Sequence, residues 1–131
     1  MSAIEPQQFT VEVVGNYVHL KTWGKQDVNK LDEPANAALA LAKEQHIDLL
    51  LDDIRGIDST DVSILMQSKA MGILWKLRTF KKVAIVLQTG RLSTMFFSTL
   101  DAIHVGRDTK FKGFDTEPEA IAWLQETPPA S

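Results

Sequence analysis

Four aspartates, Asp52, Asp53, Asp58 and Asp61, form the densest acidic stretch of the chain, with Ser59 and Thr60 set among them. Carboxylates gathered at the end of a strand could hold Mg²⁺ through hard oxygen ligands. Such chemistry normally leans on a suitably placed lysine or a glycine-rich phosphate loop, and this sequence offers neither. The aspartates read instead as a strand-end turn and helix caps, Asp58 near a cap and Asp61 in a first turn where the helix dipole favours an anion. No metal is expected.

Ser59 and Thr60 have two readings. Either hydroxyl can cap a following helix, or accept a phosphate that free N–H groups at a helix start would favour. A phosphate there would carry a charge of about −2 and meet repulsion from Asp58, Asp61 and Asp53. Nucleophilic catalysis has less to stand on. Cysteine is absent, and the only histidines are His19, His46 and His104. His19 alternates with Val18 and Leu20 as a wet-face strand residue, while His46 follows one helix and His104 ends another, where imidazole favours the dipole. No serine-elbow, metalloprotease, Walker or dinucleotide fingerprint occurs, so neither an enzyme nor a cofactor is expected.

A second constellation lies at 60–104. Val62, Leu65, Met66, Ala70, Ile73 and Leu77 recur at helical spacing as a stripe able to dock on a sheet. Ile64, Met71, Leu74 and Trp75 fall on another face of the same helix and need a cover of their own. The next helix repeats the pattern, with Leu92, Met95, Phe96, Leu100 and Ile103 inward and Phe97 left over. Residues 62–100 contain no acid and six bases: Lys69, Lys76, Arg78, Lys81, Lys82 and Arg91. By contrast, residues 1–61 carry 11 acids against 5 bases, and 101–131 carry 6 against 3. A cationic block rimming adaptable apolar side chains suits an anionic membrane or an amphipathic acid-bearing ligand. Neighbouring helices, or a second subunit burying Trp75, could cover the same stripe. Nucleic acid is not expected, because the net charge is −3 and the aromatics sit on no strand platform.

The elements that must position these residues follow from local pattern. Phe9–Val14 and Tyr17–Trp23 form a hairpin about Gly15-Asn16. Asp32 caps a helix through Ala35 to Glu44, with Pro34 in its first turn. Ile47–Leu51 and Val83–Leu87 are short apolar runs suited to buried strands. A helix capped at Ser59 or Thr60 runs to about Leu77, and another spans Leu92–Ile103. Lys110–Phe114 is a last strand, and Thr116-Glu117-Pro118-Glu119 is a capping box opening a helix with Ile121, Trp123 and Leu124. The order predicts one α/β domain over 1–131, with a core of about 9–126 and a flexible tail at 127–131. Its sheet is mostly parallel, with an N-terminal hairpin and about four helices. No apolar run spans a bilayer and the first residues are polar, so a cytoplasmic, or peripheral membrane, location is expected.

The run from Leu49 to Asp53, followed by Gly56-Ile57-Asp58-Ser59-Thr60-Asp61-Val62-Ser63-Ile64-Leu65, resembles the strand–loop–helix of STAS domains. The ending, Phe111 to Asp115 and then Glu119 to Leu124, is similar to the SpoIIAA-like (STAS/CRAL-TRIO-type) branch. Element order agrees from about Phe9 to Glu126. The resemblance implies a non-enzymatic module, with partner proteins in the sigma-regulator branch and apolar-ligand or membrane binding in the other. It also implies a phosphoacceptor at Thr60, with Ser59 before it, although Asp61 stands where the family pattern has glycine.

Two readings result. In the first, Met71, Leu74, Trp75 and Phe97, with Lys76, Arg78, Lys81, Lys82 and Arg91, bind an apolar or amphipathic molecule or an anionic membrane. In the alternative, a regulatory protein is the partner and phosphorylation at Thr60 or Ser59 is the switch.

Overall fold

The computed structural model describes residues 6–27, 29–58, 72–73, 75–87 and 109–126. β1 (Gln8–Val14) and β2 (Tyr17–Lys25) pair antiparallel without interruption from Gln8↔Trp23 to Val14↔Tyr17. The turn between them is the expected Gly15-Asn16, and Gly15 takes φ 57°, a conformation that costs glycine nothing.

α1 (Asp32–Gln45) has Asp32 and Glu33 in its first turn, where carboxylates complement the dipole. Asp32 is not the cap: Leu31 occupies that position, in helical conformation and without a side-chain hydrogen bond. The helix ends at His46, whose φ of 55° is left-handed and whose N–H closes the last turn on Ala42 and Lys43. Its alanines Ala35, Ala38 and Ala42 are buried, which lets the backbone lie close to the sheet.

β3 (Leu49–Asp58) starts two residues later than the apolar run and continues well beyond it. The reason lies in its neighbour: β2 extends to Lys25 and supplies partners for Gly56, Ile57 and Asp58. β4 (Lys82–Val86), β5 (Lys110–Phe114) and α2 (Glu117–Gln125) fall close to their expected places. The five described strands lie in the order β1-β2-β3-β4-β5, with all their pairings after the hairpin parallel.

Two cores result. Val18, Leu20, Leu50, Val83 and Ile85 lie on one sheet face under α1, joined by Leu77 and Phe80. Tyr17, Leu51, Ala84, Val86 and Phe114 lie on the other, under Ala120 and Leu124 of α2. A fully buried aliphatic side chain such as Leu50 or Ile85 contributes roughly 1.5–3 kcal/mol, so β3 and β4 anchor the domain.

Among the described residues there are two α-helices rather than about four. Of the helix expected to about Leu77, residues 72–73 and 75–76 are helical and lead into a 3-10 turn at Leu77–Thr79. Its earlier part, and the helix expected at 92–103, lie outside the described residues.

Candidate functional site

Side chains of adjacent strand residues point to opposite faces, so Asp52 and Asp53 do not share a site. Asp52 pairs between Leu20 and Ile85 on the α1 face. The residue as a whole keeps some exposure, but its Oδ1 is enclosed and has no hydrogen-bond partner. Burial, with the charge of Asp53 adding to it, pushes its carboxyl up from 3.8 to about 7.

Asp53 lies buried on the α2 face. The β2–β3 register slips between Lys21↔Asp53 and Trp23↔Gly56, so Ile54 and Arg55 together oppose Thr22 in a bulge. The bulge folds Arg55 back over Asp53. Arg55 donates from Nε to Oδ1 at 3.0 Å, from Nη2 to Oδ2 at 2.7 Å and from its backbone N–H to Oδ1 at 3.1 Å. Burial works to raise the Asp53 carboxyl, but these bonds and the charges of Arg55 and Lys21 outweigh it and hold it below its ordinary range.

The pair extends into a charged cluster at the start of α2. Glu117 lies 3.6 Å from Arg55 Nη2 and 3.6 Å from His19 Nε2, and His19 Nδ1 lies 3.6 Å from Glu12. Four elements (β1, β2, β3 and α2) thus meet through ionisable groups. Arg55 is not singled out in the sequence, Glu117 reads there only as part of a capping box, and His19, read as a solvent-facing residue, is a member. The pair was not signalled by spacing, because the bulge at Ile54 and Arg55, set by β2, brings the guanidinium back over Asp53. Among the described residues, no group of three or more His, Asp or Glu side chains could hold a metal ion.

Of the cationic–apolar set, Trp75, Lys76, Arg78, Lys81 and Lys82 are described. Trp75 is 53% exposed, with the Arg78 guanidinium 4.5 Å from its ring centre. Arg78 also donates to the Trp75 carbonyl at 3.0 Å. Lys76 pairs with Asp32 at 3.3 Å, and Lys81 with Asp48 at 3.5 Å. Lys82 donates to the carbonyls of Trp123 and Glu126, both at 2.9 Å, at the end of α2. The cationic block is therefore partly neutralised by acids from the flanking segment, which the linear charge pattern did not reveal. Met71, Leu74, Arg91 and Phe97, and the hydroxyl pair Ser59 and Thr60, lie outside the described residues. No described helix is long and apolar enough to cross a membrane.

Comparison with known proteins matches residues 17–125 to the family model described as SpoIIAA-like. No curated protein matches the sequence. Among solved structures, an anti-sigma factor antagonist from Mycobacterium paratuberculosis superposes with a TM-score of 0.65 at 13% identity, over 92% of this chain and 95% of that one. An uncharacterized protein with a SpoIIAA-like fold from Shewanella loihica PV-4 gives 0.62 at 25% identity, over 95% and 98%. The Bacillus cell fate determinant SpoIIAA in its phosphorylated form gives 0.52 at 17% identity, over 90% and 100%.

Proposed function

This chain belongs to the SpoIIAA-like family, and from that premise we propose that it is a non-catalytic protein-interaction module switched by phosphorylation at Thr60 or Ser59. The observation that carries the reading is the course of β3. It lies between β2 and β4 and runs to Asp58, so the next two residues along the chain are the hydroxyl pair. Support comes from relatives of the same fold, one an anti-sigma factor antagonist and one solved in a phosphorylated form. The switch would be electrostatic: a phosphate adds about −2 charge beside Asp58 and Asp61, and so changes which partner surface can approach.

Phosphopeptide mapping of the protein from its native cells, with pull-down of its partner by wild type and by Thr60→Glu and Ser59→Glu, tests the reading. The expected result is a phosphate on one hydroxyl and loss or gain of the partner with the Glu variants, at unchanged stability. If both Ala variants and both Glu variants keep every interaction of the wild type, the switch is wrong.

A second reading rests on Trp75 and Arg78. An exposed tryptophan under a guanidinium, with Lys76, Lys81, Lys82 and Arg91 nearby in sequence, suits an anionic membrane or an amphipathic ligand, with Met71, Leu74 and Phe97 as further contacts. Anionic vesicles should then bind in a salt-sensitive way, and Trp75→Ala should weaken binding at every salt concentration. Equal binding to neutral vesicles rules this reading out.

A further inference from the structure

We propose that the outer edge of β1 is a dimerisation edge, where the β1 of a second copy of this chain pairs antiparallel about Val11 and continues the sheet. Among the described residues, no strand lies outside β1. In a two-residue hairpin the closing pair, here Val14↔Tyr17, is hydrogen-bonded, and bonded and non-bonded pairs alternate away from it. Gln8, Thr10, Glu12 and Val14 therefore turn their N–H and C=O groups toward β2. Those of Phe9, Val11 and Val13 turn outward, along the open edge.

Such an edge is a template for another strand unless it is blocked. The usual blocks are charged side chains (lysine above all), proline, a bulge or a very short strand. Of these β1 has a single charge, at Glu12; it is seven residues long and pairs with β2 without a register break. Valine at three of its seven positions favours extended backbone. Val13 and Val14 are 39% and 37% exposed, which leaves apolar surface at this end of the edge.

The register selects a second copy as the occupant. A two-fold axis at Val11 sets Phe9 opposite the partner's Val13, Val11 opposite the partner's Val11, and Val13 opposite the partner's Phe9. On the other face, Thr10 lies opposite the partner's Glu12. Apolar residues meet apolar ones on the face where Phe9 and Val11 already join the core, and the two Glu12 carboxylates are not opposed. An axis at Val13 or Phe9 would use only part of the strand and lose these pairs. One sequence thus supplies both halves of an isologous interface.

Native mass spectrometry, with light scattering across a concentration series, tests this on the full chain. Wild type should reach twice the 14.6 kDa of one chain. Val11→Pro should stay monomeric with an unchanged circular dichroism spectrum, because the N–H it removes points away from β2. Glu12→Pro should instead lower Tm, since it breaks a bond within the hairpin. Val13→Lys, an exposed change that does not depend on how proline is tolerated, should weaken dimerisation by roughly tenfold, because both Phe9–Val13 pairs are lost in each dimer. The chain has no cysteine, so Val11→Cys should cross-link to a covalent dimer on oxidation, and Thr10→Cys should not. A monomeric wild type at every concentration, or a dimer unaffected by both Val11→Pro and Val13→Lys, overturns the proposal.

Discussion

Asp52 and Asp53 respond to pH in opposite directions. The Asp52 carboxyl is raised to about 7, so the folded protein holds a proton that the unfolded chain gives up near 3.8. Its contribution is fully present below the unfolded value and is lost as pH rises toward 7. The gap between 3.8 and about 7 makes this an effect on the order of 4 kcal/mol. Asp53, held low by Arg55, behaves conversely: its contribution is present above its unfolded value and fades on further acidification. Stability measured by urea denaturation should thus fall between pH 4 and pH 7. Asp52→Asn should remove most of that slope and leave the loss at lower pH, and an unchanged slope would mean another group is responsible. The pairing of Asp53 with Arg55 was not legible in the sequence, because it depends on the bulge that β2 imposes beyond the apolar run. The isolation of Asp52 was hidden as well, because it depends on which neighbours β2 and β4 bring beside it.

At the scale of elements, local signals located the hairpin, α1, β4, β5 and α2, because glycine turns, alanine runs, apolar blocks and the acidic start of α2 are all short-range. Even there the caps differ. Thr116 donates to Glu119 Oε1 at 3.0 Å, a bond between side chains, and makes no side-chain hydrogen bond to the helix backbone. The length of β3 was hidden, because its second half is strand only through its pairing with β2 across a bulge. At Gly56 the backbone lies close against Trp23: a Cβ there would lie 2.6 Å from Trp23 Cβ. Gly56→Ala must push the strands apart and should cost about 1–3 kcal/mol in thermal or chemical denaturation. His46 offers the opposite change. It holds a left-handed conformation that an L side chain resists, so His46→Gly should stabilise the protein by about 1 kcal/mol and raise Tm. A lower Tm would mean that the imidazole makes a contact worth more than the backbone strain it relieves.

Across the whole molecule, elements far apart in sequence are tied together by side chains. Asn16 in the hairpin turn exchanges two hydrogen bonds with Gln125 in α2, at 3.1 and 2.7 Å across 109 positions. Lys82 reaches from β4 to the last carbonyls of α2 and lies 5.2 Å from the Trp123 ring centre. Read along the sequence, Lys81 and Lys82 are equivalent members of one basic patch; in the fold they do different work. Lys81 is mostly exposed and meets Asp48 at 3.5 Å, an arrangement worth about 0–1 kcal/mol at most. Lys82 gives charge-assisted bonds to the Glu126 carbonyl and to the Trp123 carbonyl, which also accepts from the Glu126 N–H at 3.2 Å, at a favourable end of the helix dipole. Lys82→Met keeps the apolar stem over Trp123 and removes only the ammonium group. It should cost about 1–3 kcal/mol and loosen α2, seen as faster amide exchange at its C-terminal end. Lys81→Ala should leave both stability and exchange nearly unchanged. Equal effects of the two substitutions would return Lys82 to the surface patch and remove it from the architecture.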